Sequence, residues 1–106
     1  MEIIIRDKIY INGEWVPSTG TGTIDVINPA TEEIMGRIPD GAADDVDRAA
    51  KAAAAAFPAW SQTPLEERVN YIRKIAAGIQ SRIPEIADLI AREVGMPVKL
   101  AARGQA

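Results

Sequence analysis

Residues 23–38 read TIDVINPATEEIMGRI. The first five are β-branched and weakly alternating, which predicts a strand. Asn28-Pro29-Ala30-Thr31 predicts a turn, because proline presets φ and the asparagine side chain can bond its own backbone. Residues 33–38 then return as the partner strand. Upstream, residues 8–16 (KIYINGEWV) place Asn12-Gly13 between two β-prone runs. That pair suits a type I′ turn, which needs positive φ at both central residues. The small residues of STGTGT, 18–23, predict the intervening loop. Two short hairpins in tandem, about 8–38, are expected.

Downstream of Gly41 the period changes. Val46, Ala49, Ala50, Ala53, Ala54 and Phe57 fall on one helical face. Asp44, Asp45 and Asp47 lie in the first turns, where the helix dipole favours acids. Pro58 is expected to end this helix, giving about 43–57. Thr63-Pro64-Leu65-Glu66 forms a capping box with proline at the first helical position. Leu65, Val69, Ile72, Ala76, Ile79 and Ile83 follow at helical spacing, predicting a helix over about 64–83. Pro84 opens a third, about 84–94, with Ile86, Leu89, Ile90 and Val94 on one side. Gly95 and Pro97 stop it. VKLAAR, 98–103, starts another helix that ends almost at once. The expected fold class is α+β: two short N-terminal β-hairpins followed by three helices.

Composition excludes chemistry directly. The 106 residues contain neither cysteine nor histidine. Thiolate nucleophiles, disulfides and thiolate metal sites are therefore absent, along with the commonest general base. The hydrophobic share is 47%, but 18 residues are alanine, so the count overstates the burial available to a core. A net charge of −3 with interspersed signs argues against a nucleic-acid partner. The apolar runs are too short for a membrane span, and MEIIIRDKIY lacks signal-peptide architecture. A cytoplasmic protein is expected.

The candidate chemical features are few. Gly20 and Gly22 lack the spacing of a nucleotide fingerprint, so a surface loop is expected. Asp44, Asp45 and Asp47 lie on different faces of a helix start, where the dipole accounts for them. Trp15 and Trp60 are expected as core anchors. Glu93 stands in the last turn of its helix, where an acid opposes the dipole, and a solvated side chain is its default reading.

YINGEWV (10–16), VINPATEEIMGRIP (26–39), AADDVDRAAKAAAAAFPAW (42–60), TPLEERVNYIRKIAAGIQSR (63–82) and AREVGMPVKLA (91–101) occur in that order. Together they resemble the N-terminal segment of the NAD(P)-dependent aldehyde dehydrogenase superfamily. The resemblance runs from about Ile9 to Arg103. Met96 departs from the family's acid-x-Gly-Lys-Pro element, where lysine is common. The expected architecture is thus the N-terminal part of the α/β aldehyde dehydrogenase fold.

The resemblance implies oxidation of an aldehyde to a carboxylic acid. A cysteine thiolate attacks the carbonyl, hydride passes to NAD or NADP, a glutamate activates water, and an asparagine amide helps bind the oxyanion. Those residues and the cofactor loop lie downstream of the matched segment. No catalytic or cofactor-binding residue is therefore expected here, and the chain alone is expected to be inactive and to bind no NAD or NADP. The alanine face is expected to pack closely on the family's cofactor-binding domain. The resemblance also implies a monovalent cation, K+ or Na+, held by the main-chain carbonyls of Val26 and Ile27 and by Glu93. An aldehyde substrate belongs to the intact family, and a homo-oligomer is compatible with it.

Gly104-Gln105-Ala106 stand where the family helix would continue with apolar residues, so a truncation, a frameshift or a cloning boundary is expected. The alternative function is a stand-alone helical interaction module that binds a partner or a dehydrogenase subunit.

Overall fold

The computed structural model describes residues 2–104. Strands come first and helices follow: β1 (Ile4–Ile5), β2 (Lys8–Ile11), β3 (Glu14–Pro17), β4 (Thr23–Ile27), β5 (Ile34–Pro39), α1 (Ala43–Ser61), α2 (Leu65–Ser81), α3 (Ile83–Val94) and α4 (Val98–Gly104). The chain divides into two compact units. One takes the chain up to Ile27 together with Ile34–Gln62, and the other takes Asn28–Glu33 together with the chain from Thr63 on.

In the first unit, β2 and β3 pair antiparallel with Tyr10 opposite Trp15. Their turn has φ of 55° at Asn12 and 79° at Gly13, the two positive angles that the Asn-Gly pair implies. β4 and β5 also pair antiparallel, from Thr23 opposite Pro39 to Ile27 opposite Ile34. A bulge at Val26/Ile27 interrupts this ladder. β5 is the central strand of a three-stranded sheet, because β1 joins its other edge in parallel, with Ile4 opposite Gly36. Gly36 makes that possible. A Cβ on it would stand 2.9 Å from the Ile4 carbonyl oxygen, so a side chain would push β1 away.

α1 departs from expectation at its end. It runs on through Pro58 to Ser61, so Pro58 lies inside the helix rather than ending it. Near the C-terminus of a helix a proline forfeits one backbone bond, and the turn after it can still close. The Ser61 hydroxyl donates to the Pro58 carbonyl at 2.8 Å. Ala49, Ala52, Ala53 and Ala56 line a groove of about 330 Å³ with the β2–β3 turn. The predicted face, Val46, Ala49, Ala50, Ala53, Ala54 and Phe57, is exposed in this chain.

In the second unit, α2 begins at Leu65, one residue later than the capping box predicts, with the Pro64 carbonyl accepting from the Arg68 amide at 3.2 Å. None of its residues is buried. α3 carries Pro84 in its first turn and ends on Gly95 in the left-handed conformation, φ 76°. α4 is a fourth helix beyond the three expected. It starts where the Pro97 carbonyl accepts from the Leu100 and Ala101 amides. Ala87 and Ala101, 1% and 0% exposed, are the buried apolar residues of α3 and α4. Gly104, the first residue of the expected stop, is still helical, and Gln105 and Ala106 lie outside the described residues.

The tryptophans are not core anchors. Trp15 is 67% exposed, its ring edge-on to Tyr10 with centroids 5.1 Å apart, and Trp60 is 45% exposed. No helix among the described residues is long and apolar enough to cross a membrane.

Candidate functional site

The densest polar cluster centres on Asp45, at the third position of α1 and 5% exposed. Its Oδ2 accepts from the Ser18 hydroxyl at 2.5 Å and from the Ala42 amide at 2.9 Å. Its Oδ1 accepts from the Thr19 amide at 2.9 Å, the Thr19 hydroxyl at 3.0 Å and Arg48 Nη2 at 2.8 Å. Arg48 Nη2 also donates to the Pro17 carbonyl at 3.1 Å. One carboxylate thus satisfies an otherwise orphaned amide at the helix start and ties α1 to the loop after β3. The Ala42 amide, the Ser18 hydroxyl, the Thr19 amide and the Arg48 guanidinium all favour the charged form. They hold the Asp45 carboxyl far below its ordinary value, against the opposing effect of burial.

Composition and spacing pointed to three equivalent acids here. The structure separates them: Asp45 is the buried acceptor, while Asp47 pairs with Lys51 at 2.7 Å on the exposed side. The usable signal was an acid at the third helical position, with Ser-Thr in a loop upstream. Among the described residues, no three carboxylates gather into a group that could hold a metal ion.

In the second unit, the Asn28–Glu33 turn forms a small closed structure. The Asn28 amide donates to the Glu33 carbonyl at 2.9 Å, and the Glu32 amide donates to the Asn28 carbonyl at 2.7 Å. Asn28 Oδ1 accepts from the Ala30 amide at 2.9 Å, the local bond expected of an Asn-Pro turn. The asparagine is 7% exposed. Pro29 of this turn lies against Gly95, where a Cβ would stand 3.1 Å from the proline Cγ. The second and fifth sequence motifs therefore meet at a glycine where a side chain would be crowded and its backbone strained.

Of the residues expected to hold a cation, Val26 and Ile27 end β4 at the bulge, and Glu93 lies exposed in the last turn of α3. A bulge disrupts the ladder locally and leaves backbone groups outside it, which suits carbonyl ligation of a hard ion. Val26 and Ile27 belong to the first unit and Glu93 to the second.

Comparison with known proteins assigns the class. The profile of the Aldehyde dehydrogenase family matches residues 15–105, and the chain belongs to that family. Lactaldehyde dehydrogenase of Escherichia coli (strain K12) is 45% identical over 101 residues, covering 95% of this chain and 21% of that protein. A putative aldehyde dehydrogenase of Staphylococcus aureus (strain bovine RF122 / ET3-1) is 43% identical over 96 residues, covering 91% of this chain and 20% of the relative.

Among solved structures, aldehyde dehydrogenase from Bartonella henselae superposes with a TM-score of 0.92 at 34% identity, over 96% of this chain and 21% of that one. The crystal structure of E. coli lactaldehyde dehydrogenase gives 0.89 at 44% identity, over 94% and 21%. The chain spans about a fifth of the length of the curated relatives it matches. It is an α+β segment corresponding to the N-terminal part of these enzymes.

Proposed function

We propose that residues 1–106 act as the N-terminal scaffold of an NAD(P)-dependent aldehyde dehydrogenase and contribute no catalytic or cofactor-binding residue. The observation that carries this reading is the match of residues 15–105 to a family whose relatives are about five times as long. It is supported by a sequence without the cysteine that the family's chemistry requires.

The intact enzyme would oxidise an aldehyde to a carboxylic acid, with NAD or NADP taking the hydride. A relative from Pseudomonas syringae, 42% identical to this chain, has been crystallised with NAD+ and octanal. The proposed setting is the cytoplasm, with assembly into a homo-oligomer. The work of these residues is positional: the Asp45 cluster fixes the start of α1, and the Pro29–Gly95 contact fixes the Asn-Pro turn. The deciding assay incubates the purified chain with an aldehyde and NAD+ or NADP+. No reduced cofactor is expected, and sustained turnover would reject the scaffold reading.

The proposed cation, K+ or Na+, would be held by the Val26 and Ile27 carbonyls and the Glu93 carboxylate. Thermal unfolding in potassium chloride and in choline chloride at equal ionic strength tests it. The expected result is a higher Tm in potassium that Glu93→Gln abolishes; equal Tm values for the natural chain would refute the site.

A further inference from the structure

Three asparagines stand in the chain, and their surroundings differ. A side-chain amide is lost most readily where the next residue's backbone nitrogen can reach its carbonyl carbon and close a cyclic imide. Asn28 precedes Pro29, which has no N–H, and its Oδ1 is held by the Ala30 amide at 2.9 Å. Asn70 precedes Tyr71 inside α2, where amides are bonded to the preceding turn and a bulky side chain follows. Asn12 differs on every count. It is exposed, with φ 55°, and the Gly13 nitrogen lies at the tip of the hairpin, outside the ladder that closes with Ile11 opposite Glu14. A Cβ added at Gly13 would meet nothing within 4 Å, so the space beside that nitrogen is open. Without a side chain, glycine lets the Asn12–Gly13 peptide rotate toward the Asn12 side chain.

We propose that Asn12-Gly13 is a self-modifying site, at which water replaces the Asn12 side-chain amide and an isoaspartyl product undoes the β2–β3 hairpin. Base takes the proton of the Gly13 amide, and that nitrogen attacks Asn12 Cγ. The new C–N bond forms as the bond from Cγ to the side-chain nitrogen breaks. That nitrogen takes up the proton through the base and leaves as ammonia. Water then opens the imide. Opening at Cγ leaves aspartate in the natural backbone. Opening at the Asn12 main-chain carbonyl carbon routes the chain through Cβ and Cγ, which is the isoaspartyl link. Water is consumed and ammonia released, and nothing is oxidised or reduced.

The two branches differ in structural outcome. Aspartate before glycine suits the same type I′ turn, so the aspartyl product keeps the hairpin. The isoaspartyl product carries an extra methylene in the main chain, and a turn matched to the strand twist no longer joins Ile11 to Glu14. Tyr10 then loses its place opposite Trp15, and with it the edge-on ring contact at 5.1 Å. The same turn forms one wall of the groove against Ala49, Ala52, Ala53 and Ala56, so the groove changes with it. All of these residues belong to the first unit, and the reaction needs nothing from the scaffold function above.

The experiment holds the full 106-residue chain in mildly alkaline buffer and follows each asparagine by fragmentation mass spectrometry. Asn12 should gain the mass of an NH2-for-OH exchange at least about tenfold faster than Asn28 or Asn70, and faster as pH rises. Aspartyl and isoaspartyl products should both form and be separable by chromatography. Amide exchange in β2 and β3 should be faster in the isoaspartyl form, while Asn12→Asp keeps the protection of the natural chain. No conversion at Asn12, conversion of Asn28 or Asn70 at a comparable rate, or formation of aspartate alone overturns the proposal. So does an isoaspartyl form whose β2 and β3 exchange like those of the natural chain. An Asn12→Asp chain that exchanges as fast as the isoaspartyl form also overturns it, because the added charge and not the longer backbone would then be the cause.

Discussion

Asp45 meets only donors: two backbone amides, two hydroxyls and a guanidinium. Asp45→Asn keeps the shape but turns an amide NH2, itself a donor, toward other donors, so it should lower the urea midpoint of unfolding clearly, with Asp45→Ala lower still. The pH dependence follows from the depressed carboxyl. Its contribution is fully present above the ordinary value of 3.8 and is lost as pH falls below it toward the native value. The gap between the natural chain and Asp45→Asn should therefore be constant near neutrality and shrink in acid; urea titrations across that range check the sign. Gly95 is the second sensitive residue. Gly95→Ala must adopt φ 76° and crowd Pro29, costing about 1–2 kcal/mol, again read from the urea midpoint. Gly95 was legible as a helix stop. Its contact with Pro29 was not, because that contact joins motifs far apart in the chain. The Asp45 cluster was hidden for the same reason, since dipole reasoning treats Asp44, Asp45 and Asp47 alike and only the fold brings Ser18 and Thr19 to one of them.

At the level of elements, turns were the most legible features. Asn12-Gly13 and Asn28-Pro29 both carry their conformation locally, and both hairpins form around them. Gly13→Ala, at φ 79°, should destabilise the first hairpin by about 1 kcal/mol, visible as faster amide exchange in β2 and β3. β1 left no readable signal, because two isoleucines become a strand only when β5 offers an edge beside Gly36. Pro58 was misread because a proline's cost depends on how much helix follows it. Pro58→Ala should restore one backbone bond and stabilise α1 by up to about 3 kcal/mol, measured as a rise in helical signal and melting temperature. Helical periodicity located α1 and α2. It could not tell that the α2 stripe lacks cover in this chain, since amphipathic spacing reports that a face is apolar and not what lies against it.

For the whole molecule, the buried apolar residues among those described are Met35, Ala87 and Ala101, two of them alanines. So small a core sets the expected behaviour of the isolated chain: binding of a hydrophobic dye and a shallow unfolding transition, both checked against a full-length relative under the same conditions. Polar replacements at exposed positions such as Leu65→Lys should raise solubility while changing stability by less than about 0.5 kcal/mol. The family and its scale were legible from five ordered motifs, whereas the exposure of α2 required coordinates.

The parallel pairing of β1 with β5 bears on the order of folding. β1 is the first strand to be synthesised, yet its partner is the last, and the β4–β5 hairpin can close without it. Local closure is fast and long-range closure slower. The amino-terminal strand therefore joins late, onto an edge that later sequence must first build, and its two ladder positions should be among the earliest to exchange with solvent.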